Sequence, residues 1–203
     1  TIEMVEKFKN SNPDLDIKIF RNESHKGLGF NYFATAHKAS GKYYMNLSGD
    51  AVDPIQSIRT MVNNIGKADI VTCHHDFNCK SIFLKSEDKQ NFTRRLISRL
   101  FVITINLITF NNMKYYNGPT IHLLENVKLY KRGVAGMGYQ AELITYLFTL
   151  NKTYKEILVE TIERKSGTSK AVTLKNILNV CGSIMIIFLN QIIYIIKKII
   201  KRN

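Results

Sequence analysis

Apolar residues recur at Ile2, Val5 and Phe8, a spacing that predicts a first helix, and Asn12-Pro13-Asp14 stops it. Alternation over Asp16-Ile17-Lys18-Ile19-Phe20 predicts a strand. Gly27-Leu28-Gly29 turns into a predicted helix from Asn31 to Ala39, which Ser40-Gly41 ends. Tyr43 to Leu47 reads as a second strand and delivers Ser48-Gly49-Asp50 at its carboxyl end. Asp53-Pro54 opens a helix to about Ile65, with proline early, where its missing donor costs little. Asp69 to Cys73 reads as a third strand.

The second half is more helical. Residues 86–110 form one long predicted helix, and a Gly-rich stretch from Gly133 to Gly138 leads into another, from Tyr139 to Leu150. Ile157 to Ile162 is strand-like. Strands alternating with helices predict an α/β fold with a mostly parallel sheet flanked by helices. Ligands of such sheets bind beyond the carboxyl ends of the strands, the edge on which Asp50 and the Gly27–Gly29 turn fall. No internal repeat is present.

Residues 177–196 are twenty mostly apolar residues, roughly 30 Å as a helix and just long enough to span a membrane. Asn176, Asn179, Ser183, Asn190 and Lys197 fall near one line, the narrow polar stripe of a helix lying in a membrane interface. Lys197, Lys198, Lys201 and Arg202 close the tail without a nearby acid, which suits anionic headgroups. A surface-lying helix, a true span and a helix buried in protein are the three readings. In both membrane readings the basic end stays cytoplasmic.

Composition narrows the partners. The chain has 203 residues, 45% of them hydrophobic and 22% charged, enough for one domain with a core and too apolar for wholesale disorder. The net charge of +13 calls for an anionic partner: nucleic acid, a phosphorylated ligand or an acidic membrane face. Three cysteines make no disulfide framework, so nothing points to secretion. No signal peptide is present, and the chain opens on Thr1 already in a helical pattern, as if cut inside a domain.

Asp50 and Asp53 follow a strand and suit a hard divalent cation bridging to a diphosphate, although Asp53 also fits a helix N-cap and Asp50 a turn. Cys73-His74-His75 with Cys79 matches no common zinc spacing and reads better as a polar strand end. Gly27-Leu28-Gly29 alone is a weak phosphate loop. Arg95 and Arg99 share a helix face near Arg94, either a solvated face or a holder of lipid phosphate. Arg164, Ser169 and Lys170, around Gly167, offer donors suited to a phosphate.

Three stretches together carry a resemblance. They are Asn22 through Asp50, Arg94 to Arg99 with Asn106 beyond, and Gly138-Tyr139-Gln140-Ala141-Glu142-Leu143 followed by Tyr154 to Ile157 and Glu163 to Lys170. The chain resembles the family 2 glycosyltransferases of GT-A fold, and within them the dolichol-phosphate mannose synthase-like, polyprenyl-phosphate sugar transferases. The resemblance implies a domain over residues 1–170 whose first two strands precede Thr1, and a membrane helix with a basic tail over 171–203. It implies an inverting, membrane-associated enzyme at the cytoplasmic face, using a nucleotide-sugar donor, a polyprenyl phosphate acceptor and Mg²⁺ or Mn²⁺. Asp50, with Asp53, would hold the metal, Arg164, Ser169 and Lys170 phosphate charge, and Arg95 and Arg99 the acceptor. Glu142 would orient a sugar hydroxyl or sit in a buried ion pair. The family's Asp-x-Asp stands here as Ser48-Gly49-Asp50.

Two other classes compete. Ser48 in place of a carboxylate motivates a catalytically inactive, membrane-associated partner-binding protein on the same scaffold. A basic nucleic-acid-binding module explains the charge but leaves the apolar tail unused, and no nucleic-acid motif appears.

Overall fold

The computed structural model describes residues 2–47, 49, 53–74, 89–131, 136–159 and 173–201. In chain order the elements are α1 (Ile2–Ser11), α2 (Leu28–Lys38), β1 (Tyr43–Met45), α3 (Ile55–Val62), β2 (Ile70–His74), α4 (Lys89–Thr109), β3 (Thr120–Leu123), α5 (Leu124–Leu129), α6 (Tyr139–Thr149), β4 (Tyr154–Leu158) and α7 (Leu174–Ile200). Gly27, at φ 93°, makes the left-handed turn that admits α2. Thr173 caps α7, its hydroxyl accepting the Asn176 N–H at 3.3 Å.

The four described strands pair in the order β1-β3-β2-β4. β2 lies parallel to β4, with Ile70 opposite Tyr154 and His74 opposite Leu158. β3 runs against both its neighbours, Tyr43 facing Leu123 on one side and Ile70 facing His122 on the other. The sheet is therefore mixed, which corrects the expectation of a mostly parallel one. Strand-helix alternation missed β3 because Gly118-Pro119 feeds it from a turn rather than from a crossover helix. The strand expected at Asp16–Phe20 is also absent: these residues are irregular, and only Ile17 and Ile19 are half-buried.

Each face of the sheet carries its own core. Ile70 joins Tyr32, Phe33, Ile105, Tyr116 and the apolar face of α6 on one side. Val71, Cys73, Ile121 and Ile157 pack with Met61 of α3 on the other. At the amino-terminal edge Asp69 clamps β2 to β4. Its Oδ2 accepts both the backbone N–H and the hydroxyl of Thr153 at 2.8 Å. The Thr153 N–H bond is the main reason its carboxyl stays below the ordinary range, and Lys152 adds an ion pair at 3.7 Å.

His122 sits in the middle of β3, wholly buried, and neither ring nitrogen has a hydrogen-bond partner among the described residues. Burial pushes its pKa down to about 3, so the ring is neutral in the fold. The unfolded chain takes up this proton below about pH 6.5, so the stability held by the neutral ring is full above that pH and drains as pH falls toward 3. His122→Leu is expected to remove about 2 kcal/mol of the stability lost between pH 7 and pH 5. Urea unfolding of the two proteins at both pH values checks this; the same pH dependence in each would count against it.

Candidate active site at the carboxyl edge of the sheet

β1, β2 and β4 run the same way, so their carboxyl ends meet the start of β3 along one edge. Asn46 leaves β1 there, His74 ends β2, and Gly118 leads into β3. α6 begins at the same edge. Its first residue, Tyr139, accepts a hydrogen bond from Asn46 Nδ2 at 3.3 Å, two positions before Ser48. The Gln140 amide donates to the Gly118 carbonyl at 2.5 Å and to the Thr120 hydroxyl, which also meets Thr72 Oγ1 at 2.9 Å. These bonds fix the amino end of α6 against two strands.

Asp53 is half-buried just before α3. Burial first, and then the Asp53 charge, push the Cys73 thiol up to about 12. A thiol held neutral in this way is a poor ligand and nucleophile. Of the once-considered zinc cluster, His75 and Cys79 lie outside the described residues. His74 Nε2 faces Lys114 Nζ at 3.5 Å, while Glu156 Oε1 accepts the Lys114 N–H at 2.7 Å. A basic group thus stands at the ends of β2 and β4.

Asp53 is the one expected site residue that this edge shows. Asp50, Arg164, Ser169 and Lys170 lie outside the described residues. Arg95 and Arg99 are on α4, half-buried and exposed respectively. Glu142 is wholly buried one turn into α6, where its Oε2 accepts the Tyr130 hydroxyl at 2.7 Å. Sequence reasoning gave no role to Asn46, Tyr139, Gln140 or Lys114, and read His74 as part of a polar strand end, where it stands. Asn46 and Gln140 fall inside the stretches that carried the resemblance, a usable signal; Lys114 had none.

A model of the family described as glycosyl transferase family 2 matches residues 1–135. The chain belongs to that family. It is a nucleotide-sugar-dependent glycosyltransferase, with a sugar donor and an acceptor. No curated protein matches the chain. The family generally uses a divalent cation. Among the described residues no three His, Cys, Asp or Glu gather as a metal site. The carboxylate of Asp53 at this edge, with Asp50 three residues before it, is nevertheless the hard oxygen donor set that Mg²⁺ or Mn²⁺ takes.

Gly118 is required by space. A Cβ there would lie 2.6 Å from the Cys73 carbonyl oxygen and 3.0 Å from its Sγ. Gly118→Ala is expected to cost about 1–3 kcal/mol by forcing β3 away from β2. Urea denaturation measures it; an unchanged midpoint and slope would contradict the close packing.

Proposed function

We propose that the chain transfers a sugar from its nucleotide donor to a polyprenyl, dolichyl-like phosphate at the cytoplasmic face of a membrane, with inversion, as dolichol-phosphate mannose synthase-like enzymes do. The observation that carries this reading is the pair of helices α4 and α7. Both expose apolar side chains along much of their length, and α4 also bears Arg95 and Arg99. Among the described residues one helix, Asn176–Ile200, is long and apolar enough to cross a membrane. Residues 1–170 act as the catalytic unit in this reading and 171–203 as its membrane element.

The chemistry asks mainly for charge control. Asp50 and Asp53 would hold a Mg²⁺ or Mn²⁺, which when bound would supply positive charge for the nucleotide phosphates. Arg164, Ser169 and Lys170 add donors to the same phosphates. The acceptor is a phosphate monoester with a second pKa near ~6, already largely anionic at neutral pH. Its oxygen attacks the anomeric carbon without a strong general base, while Arg95 and Arg99 hold its remaining charge. Glu142, wholly buried and tied to Tyr130, holds α6 in place behind the edge and does not itself meet the sugar. The +13 charge is then spent on phosphates and lipid headgroups rather than on nucleic acid.

Membranes holding the protein, supplied with labelled nucleotide sugars, Mn²⁺ and a polyprenyl phosphate, are expected to yield labelled lipid. Asp50→Ala is expected to lower that transfer on the order of 100-fold or more. Full activity in the variant would refute the role of Asp50. No lipid product from any common donor would overturn the polyprenyl phosphate acceptor and leave a family 2 glycosyltransferase with a different acceptor.

A further inference from the structure

We infer that Lys114 is a phosphate-binding residue of the reaction site, its ammonium held at the carboxyl ends of β2 and β4 to take a phosphate of a reactant. This rests on the reading of that edge as the site, not on the identity of the acceptor.

The loop between α4 and β3 is built around this one side chain. Asn106 of α4 ties the start of it: Nδ2 donates to the Met113 carbonyl at 2.8 Å and Oδ1 accepts the Met113 N–H at 3.2 Å. The same Oδ1 accepts the Tyr116 hydroxyl at 2.7 Å, and Met113 and Tyr116 are wholly buried. From the other side Glu156 of β4 holds the backbone. Its Oε1 accepts the Lys114 N–H at 2.7 Å and the Tyr115 N–H at 3.4 Å. Residues on both sides of Lys114 are thus fixed in the fold, while Lys114 itself is exposed. A backbone anchored in this way leaves only the side chain to be ordered when a ligand binds.

The ammonium is directed at the carboxyl edge. Nζ lies 3.5 Å from Nε2 of His74, the last residue of β2. An ammonium only donates, so the imidazole is the acceptor and the contact leaves the lysine charge uncancelled. Glu156 turns its Oε1 to backbone N–H groups instead. Among the described residues, ion pairs join Lys18 to Asp16 and Lys152 to Asp69, and no carboxylate pairs with Lys114 Nζ. Four residues on, the Gly118 carbonyl takes the Gln140 amide, so the same loop runs into the contacts that shape the edge.

The chemistry of the reaction selects the ligand. A single ammonium is a compact point charge, suited to a phosphate oxygen. The chain is a nucleotide-sugar-dependent glycosyltransferase, so every turnover brings phosphate to its site. When the sugar leaves, the terminal phosphate of the nucleotide gains negative charge, and a fixed cation beside it lowers the cost. A phosphorylated acceptor carries the same chemistry, and binding measurements separate the two sources.

Calorimetric titration of the full chain in detergent micelles tests this. The probes are uridine diphosphate and guanosine diphosphate with Mn²⁺ on the donor side, and geranyl phosphate on the acceptor side. Lys114→Gln is expected to weaken the probe whose phosphate meets Nζ by ~10-fold or more, and Lys114→Arg, which keeps the charge, to hold most of that affinity. A loss confined to the diphosphates assigns Lys114 to the donor; one confined to geranyl phosphate assigns it to the acceptor. Lys67→Gln, at an exposed lysine before the opposite end of β2, is expected to change neither. Unchanged affinities in Lys114→Gln, or an equal loss in Lys67→Gln, would overturn the inference and leave the edge standing as the site. No binding of any probe by the unaltered chain would overturn both.

Discussion

The helix α6 is buried over its first two turns, from Tyr139 to Thr145, and its polar side chains are what the rest of the structure is hung on. A buried polar group is costly unless paired, so each of these side chains dictates where its neighbour must be. Tyr139 sets Asn46 at the end of β1, Gln140 sets the turn into β3, and Glu142 sets Tyr130 after α5. Removing one member would leave its partner buried without a bond, at a cost above that of the bond itself. The carboxyl edge of the sheet, proposed here as the donor site, is therefore shaped by a helix from the second half of the chain.

The same helix joins the edge to α7. Gly136 and Gly138 immediately precede α6, and they are the seats of Asn179 and Ser183 from α7. Of the polar stripe read from the sequence, Ser183 packs buried against Gly138, and Asn179, itself exposed, borders Gly136. The seat of α7 and the carboxyl edge of the sheet then share one short segment of chain.

Local pattern carried much of the fold. α2, α3, α4, α6, α7 and β2 stand within a few residues of their sequence-based positions, because each has a sustained period or a clear Gly or Pro boundary. β3 and α5 were not legible: Thr120-Ile121-His122-Leu123 joins Leu124 without a turn residue, so no boundary marks strand from helix. The antiparallel direction of β3 depends on tertiary pairing, which periodicity does not encode. Alternation at Asp16–Phe20 signalled a strand with no described neighbour to pair with, and the backbone there stays irregular. Of the site, the strand ending before Asn46 was legible, while Ser48 and Asp50 lie outside the described residues. Glu142 was read with a buried ion pair as one of its two alternatives; it is buried, and its Oε2 accepts the Tyr130 hydroxyl.

Amide hydrogen exchange of the full chain, with and without uridine or guanosine diphosphate and Mn²⁺, tests most directly whether the carboxyl edge is the donor site. Slowed exchange is expected at Asn46, Gly49 and Gly136–Gln140, with no change at Asp69 and Thr153 on the opposite edge. Slowing at Asp69 and Thr153 instead, or no slowing with either nucleotide, would contradict it.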